Sequence, residues 1–255
     1  MKEIDLNCDM GEAFGNYTMP NDVELMDYIS SANIACGFHA GDPAVMQHTV
    51  ALAIKKGVAI GAHPGLPDLQ GFGRREMKIS AQEAYQLTLY QIGALSAFVK
   101  VARGKLNHVK AHGALYNMAA KDAELAKAIV QAVYDFDPKL ILYALSGSKM
   151  IAEAQNKGIA TASEVFADRS YQDNGSLTPR TEPGALITDE EAALNQVVAF
   201  ALKQEVRSVS GKIIAVDAET ICVHGDGAHA VTFAKRIAEK LKSEGILVKA
   251  PRYES

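Results

Sequence analysis

A chain of 255 residues with a hydrophobic fraction of 48% is long enough for one α/β barrel, and its length does not force a second domain. A net charge of −4 and a pI near 6.0 argue against nucleic acid or an anionic membrane as the main partner. No apolar run reaches the roughly 18 residues of a membrane span, charge falls in Met1-Lys2-Glu3-Ile4-Asp5 where a signal peptide would be apolar, and three scattered cysteines read as free, buried thiols in a reducing cytoplasm.

Residues 3–9 predict a strand with two faces: Ile4, Leu6 and Cys8 on one, Asp5, Asn7 and Asp9 on the other. Glu12 follows on the loop, and Asn21 with Glu24 predicts a capped helix start. A second strand over 32–37 runs into the Gly-rich turn that carries His39. Asp42-Pro43 opens a helix that stops at Gly57. A third strand, 58–62, puts His63 at its tip and precedes a long loop holding Asp68, Arg74 and Arg75. Ser80 and Glu83 box a long helix ending at Gly104. Strand four, 107–111, has a polar face of His108, Lys110 and His112. A single helix is expected over 116–136.

Strand five, 140–144, is almost wholly apolar; Ser146-Gly147-Ser148 turns it into a helix that stops at Gly158. Strand six, 159–165, leads into a second polar loop with Asp168, Arg169, Tyr171 and Arg180. Thr188 and Glu191 predict a boxed helix, and 206–216 a hairpin turning at Ser210-Gly211. The last strand, 220–223, carries His224 and Asp226 at its tip; a helix near 229–242 and a short strand close the chain.

About seven β-α units in series imply parallel strands. Strands one and four carry polar or charged residues along a whole face, and helices covering both sides of an open sheet would bury them at a cost of several kcal/mol. A barrel lets them face a central polar well. The expected fold is therefore an α/β, distorted (β/α) barrel with about seven parallel strands and an irregular gap, in one domain over 1–255. The polar residues fall at strand C-termini, where barrels hold their active sites. Asp9, His39 and His63 form a candidate set for a divalent metal. Without a metal, the same groups supply acid and base around a carbonyl, with Lys110 stabilising developing negative charge. An adjacent Arg pair, Arg74 and Arg75, suits a carboxylate or phosphate. No GxxxxGK[ST] loop is present.

The segments DLNCDMGEAFG, NIACGFHAGDP, GAHPGLPDLQGFGRR, VKAHGALYN, EVFADRSY and CVHGD fall in order from residue 5 to residue 226 and together resemble the LamB/YcsF family, the A subunit of the bacterial ATP-dependent 5-oxoprolinase. Ala111 departs from the Pro expected before His112, which alters strand stiffness but removes no reactive group. The resemblance implies a distorted (β/α) barrel akin to the polysaccharide deacetylase and glycoside hydrolase superfamily. It implies opening of the 5-oxoproline (pyroglutamate) lactam to L-glutamate, coupled to hydrolysis of ATP with Mg²⁺, and subunits B and C as partners. On these motifs the expected catalytic residues are Asp9, His39, His63, Lys110 and His112. The expected substrate-binding residues are Asn7, Glu12, Asp42, Arg74, Arg75, Glu164, Arg169, His224 and Asp226. Two other readings stay open: a stand-alone metal-dependent deacetylase or amide hydrolase, and a non-catalytic subunit that only presents substrate.

Overall fold

The computed structural model describes residues 2–223 and 229–252, so His224 and Asp226 lie outside the described residues. The chain begins with β1 (Lys2–Met10), α1 (Asp22–Leu25), β2 (Ser31–Ala35), α2 (Pro43–Lys56), β3 (Ala59–His63) and α3 (Ala81–Val101). It continues with β4 (Leu106–Lys110), α4 (Gly113–Lys121), α5 (Ala123–Phe136), β5 (Ile141–Leu145), α6 (Lys149–Lys157) and β6 (Thr161–Phe166). After α7 (Glu190–Lys203) come β7 (Glu205–Arg207), β8 (Ile213–Ala215), β9 (Thr220–Val223), α8 (Ala230–Ser243) and β10 (Ile246–Val248).

Seven parallel strands close a ring in the order β1-β2-β3-β4-β5-β6-β9 and back to β1. The expected irregular gap is not there. Thr220 of β9 is in register with Glu164 on one side and with Asp5 on the other, so hydrogen bonding closes the ring. What replaces an eighth unit is the antiparallel β7–β8 hairpin, which is separate from the ring. β10 pairs with the first residues of β1. A closed ring leaves no unpaired strand edge in the barrel wall.

The strand faces sort as their period-2 pattern requires. Ile4, Leu6, Cys8 and Met10 join the main apolar core, while Asp5 and Asn7 are buried among polar groups from other strands. Gly61 makes one of these approaches possible: a Cβ there would sit 2.0 Å from His108 Nε2, and the β3–β4 register shifts at this point.

Four local expectations are corrected. Asn21 makes no side-chain cap, and α1 is a single turn. The helix over 116–136 is two helices, because Asp122 leaves helical geometry and accepts the amides of Glu124 and Leu125 as the cap of α5. Asp189 caps α7 in place of Thr188, accepting from Ala192. At the end of α3 the positive φ belongs to Arg103 and not to Gly104. The caps at Asp42 and Ser80 form as expected. No helix among the described residues is long and apolar enough to cross a membrane.

Candidate active site

The polar interior is built in layers. At its floor, buried Asp5 accepts hydrogen bonds from Ser30 Oγ (2.6 Å), Ser31 Oγ (2.7 Å) and Thr220 Oγ1. Burial pushes its carboxyl above the ordinary range, against the hydrogen bonds that pull it down. One layer up, Asn33 Nδ2 donates to Asn7 Oδ1 at 2.8 Å and to Asp9 Oδ1 at 2.9 Å, and its own Oδ1 lies 2.8 Å from His108 Nε2. A carbonyl oxygen only accepts, so His108 carries its proton on Nε2.

Lys110 crosses the layers. Its Nζ lies 3.0 Å from Asp9 Oδ1, 2.8 Å from Glu164 Oε1, 3.2 Å from Asn7 Oδ1 and 3.2 Å from Cys222 Sγ. Burial alone would strip its proton; Asp9 and Glu164 outweigh burial and hold it charged. Burial would likewise raise the Asp9 carboxyl, but His63 and Lys110 hold it well below the usual carboxylate range. Burial keeps Cys222 a neutral thiol. The cysteines are all buried, as the sequence suggests, and Cys222 is more than filler because it accepts from Lys110.

Three imidazoles meet above this layer. His39 stacks on His112 with centroids 3.7 Å apart and planes within 2°, while His63 stands edge-on to both. His112 Nδ1 is 2.9 Å from His63 Nε2, and His63 Nε2 is 3.2 Å from Asp9 Oδ2. Glu12 Oε1 reaches His39 Nε2 at 3.2 Å and His112 Nδ1 at 3.5 Å. Burial depresses His39 and lowers His112 to about 3, so both rings are neutral near pH 7. Gly73 has φ +62°, and a Cβ there would come within 2.6 Å of His39 Cβ and 2.8 Å of His112 Cδ2, so only glycine lets this loop lie against the rings.

A cavity of about 440 Å³ opens over the cluster. Asp9, His63, Lys110 and His112 lie at its walls with Arg74, Lys121, Arg169 and Arg180. These cations outnumber the wall's acids, Asp9 and Glu76, which suits an anionic ligand.

The catalytic expectations thus converge, with one exception: His39 is buried behind His112 and is not on the cavity wall. Of the substrate-binding expectations, Arg74 and Arg169 reach the wall. Arg74 stands over the Phe72 ring at 4.9 Å. The Arg169 guanidinium is spent on its own loop, donating to Thr178 O at 2.6 Å and Ala185 O at 3.2 Å, so it shapes the wall.

Asp42, Arg75, Asn7, Glu164 and Glu12 lie off the cavity wall, and His224 and Asp226 lie outside the described residues. Asp42 is a helix cap, with Oδ1 accepting from Ala44 and Val45 and Oδ2 from Gly15. Arg75 turns away to a bidentate pair with Asp68, whose carboxyl it lowers to about 2. Asn7 and Glu164 are fully buried below the cavity, where they brace Lys110. Glu12 faces the imidazoles.

Of the expected metal set, His39 and His63 stand in one group of possible ligands among the described residues. Glu12, His39, His63 and His112 bring ligand atoms within 4.8 Å of one another; Asp9 touches the group through His63.

Sequence reasoning missed Asn33 and Tyr116. Asn33 is the one amide in the apolar run Asn33-Ile34-Ala35, a signal in itself. Tyr116 OH donates to Glu164 Oε2 at 2.7 Å, and it lies in the first turn of α4, four residues after the N-cap His112.

Against known proteins, a model described as the LamB/YcsF family matches residues 4–254. A relative from Geobacillus thermodenitrificans (strain NG80-2), named as the A subunit of 5-oxoprolinase, is 59% identical over 255 residues, covering 100% of this chain and 99% of its own. One of the same name from Bacillus subtilis (strain 168) is 56% identical over 250 residues, covering 98% and 97%. The crystal structure of a lactam utilization protein from Thermus thermophilus superposes with a TM-score of 0.93 at 45% identity, covering 98% of this chain and 100% of that one.

Proposed function

The chain belongs to the LamB/YcsF family, and from that footing we propose that it is the A subunit of an ATP-hydrolysing 5-oxoprolinase that opens the 5-oxoproline lactam to L-glutamate. The observation that carries the reading is the pairing of Asp9 with His63 and Lys110 at the floor of a cation-rich cavity. A carboxylate held low beside an imidazole can accept a proton from water, and an ammonium in the same contact set can neutralise an oxygen that gains charge.

Water adds to the lactam carbonyl carbon, and its proton passes to Asp9, which His63 contacts at 3.2 Å. The ring C–N bond then breaks, and the proton goes to the departing amine. Water supplies both the new carboxylate oxygen and the proton. Lys110 faces the oxygen that turns negative, while His112, whose Nε2–H is held by the Phe72 carbonyl, lines the same wall. Arg74 on the wall is the candidate partner for the substrate carboxylate, because Arg75 is committed to Asp68. A five-membered lactam is a stable amide, and ATP can drive its opening by passing its γ-phosphoryl group to the lactam oxygen with release of ADP; water then adds to the activated carbon, the ring C–N bond breaks to leave an acyl phosphate, and a second water releases glutamate and inorganic phosphate. Arg74, Lys121 and Arg180 suit phosphate charge on an activated substrate. The chain has no GxxxxGK[ST] loop, so any ATP it handles is not held through a P-loop.

The test is 5-oxoproline-dependent ATP hydrolysis and glutamate release by the chain alone and mixed with candidate B and C subunits. Activity is expected only in the mixture, and Asp9→Asn should lower glutamate release by on the order of 10²–10⁴-fold, the range of a lost general base. Near-normal release by Asp9→Asn removes that residue from the scheme. Inactive mixtures, with metal-dependent amide cleavage by the chain alone, favour the stand-alone hydrolase.

A further inference from the structure

The imidazole cluster has a hydrogen-bonding imbalance that the lactam reading does not use. His63 Nδ1 lies 2.8 Å from the Lys110 carbonyl oxygen, and His112 Nε2 lies 2.8 Å from the Phe72 carbonyl oxygen. Carbonyl oxygens only accept, so both nitrogens are N–H donors. In neutral rings that leaves His63 Nε2 and His112 Nδ1 as bare lone pairs, and these two atoms face each other at 2.9 Å. The atoms around them are acceptors too: Asp9 Oδ2 at 3.2 Å from His63 Nε2 and Glu12 Oε1 at 3.5 Å from His112 Nδ1. Four electron-rich atoms converge, and none of the four brings a proton in these protonation states. Something electropositive belongs between them: an extra proton or a cation.

The surroundings favour a cation. Each facing imidazole has its far nitrogen tied to a backbone carbonyl, the arrangement that fixes ring and tautomer in metal-binding histidines. Two imidazoles with a carboxylate match the donor set of zinc-type sites that keep an open position. We propose that His63 Nε2, His112 Nδ1 and Glu12 Oε1 bind a divalent transition-metal ion, with Asp9 Oδ2 beside the open position. His39 belongs to the group by distance but not by orientation. Its ring is parallel to His112 and 3.7 Å away, so one ion cannot lie in both ring planes. His39 supports Glu12 from behind, with Nε2 3.2 Å from the same oxygen. At metal–nitrogen distances of about 2.0–2.1 Å, tetrahedral ligands lie roughly 3.3 Å apart, so the two facing nitrogens separate by a few tenths of an ångström on binding. The assignment stands on hydrogen-bond geometry alone and holds whichever amide the site opens.

The test uses the full chain, purified without a metal-affinity tag, stripped with chelator and titrated with Co²⁺. Stoichiometric binding with the visible bands of a low-coordinate nitrogen–oxygen site is expected. His63→Gln and His112→Gln should abolish those bands, and His39→Gln should keep them with affinity weakened about 10–100-fold, the usual effect of a supporting partner. If the Gln variants misfold, ¹⁵N-imidazole NMR of the unaltered chain with Zn²⁺ decides. The expected result is direct metal shifts at His63 Nε2 and His112 Nδ1, with His108 unmoved. Absence of stoichiometric Co²⁺ binding, bands that survive both Gln substitutions, or a proton shared between the two nitrogens that persists under excess Zn²⁺ would overturn the proposal. None of these readouts depends on turnover, so loss of the lactam activity and loss of the metal site are separately visible.

Discussion

Asp5 and Asp9 lie four residues apart on the same face of the same strand, one at the floor of the barrel and one at its mouth. Burial pushes both carboxyls upward, yet Asp5 ends above the ordinary range and Asp9 well below it. The difference lies in the partners. Asp5 is held by neutral hydroxyls of Ser30, Ser31 and Thr220, whereas Asp9 faces the Lys110 ammonium and His63. Neutral hydrogen bonds satisfy a buried carboxyl without compensating its charge; a buried cation does compensate it. The floor is therefore structural, and the mouth keeps an ionised acid ready for chemistry.

The largest way to break this contrast is Lys110→Met. It leaves buried Glu164 and half-buried Asp9 without their cation, and unfolding in urea should show a loss of about 3–5 kcal/mol. A loss under about 1 kcal/mol would mean that the two acids are not both held by this ammonium. His108 gives the next effect. Its folded pKa is lowered to about 3, mainly by burial. A depressed histidine means the unfolded chain binds more protons below about pH 6.5, so its stabilisation is present above that value and lost as pH falls toward 3, at up to about 1.4 kcal/mol per pH unit. Thermal unfolding across this window should fall less steeply in His108→Phe, and identical slopes would refute the assignment.

Asp5 has the opposite sign. With its folded pKa raised, its contribution is fully present below about pH 3.8 and declines as pH rises through the folded value. Asp5→Asn should therefore be no less stable than the parent at pH 8 and less stable near pH 4. The smallest effect is at the rim. Arg75, 64% exposed in its side chain, pairs with Asp68 away from the cavity, so Arg75→Ala should leave KM for 5-oxoproline unchanged where Arg74→Ala raises it. A raised KM in Arg75→Ala would return that residue to the site.

The strand faces and the convergence at the mouth were legible because period-2 patterning and burial cost act locally: Asp5, Asn7 and Asp9 can share a face only if that face is a polar interior. Roles were less legible. Asp42 and His39 both sit on the turn after β2; Pro43 marks Asp42 as a helix cap, but nothing within a few residues shows that His39 is consumed by a ring stack. Arg74 and Arg75 are neighbours whose side chains diverge to the cavity and to Asp68. Ring closure was misjudged for a similar reason. Whether β9 reaches both β6 and β1 depends on pairings more than two hundred residues apart along the chain for Asp5 and Thr220, which local patterning does not encode.

That closure has a kinetic consequence. Asn7 donates to Thr220, and Lys110 donates to Cys222, so the acid–lysine centre is complete only when the last barrel strand docks on the first. During synthesis β1 emerges first and its β9 partner only after residue 220. Folding dominated by such distant pairings is slow. A ring left open between β9 and β1 would thus lack the Thr220 and Cys222 partners of Asn7 and Lys110.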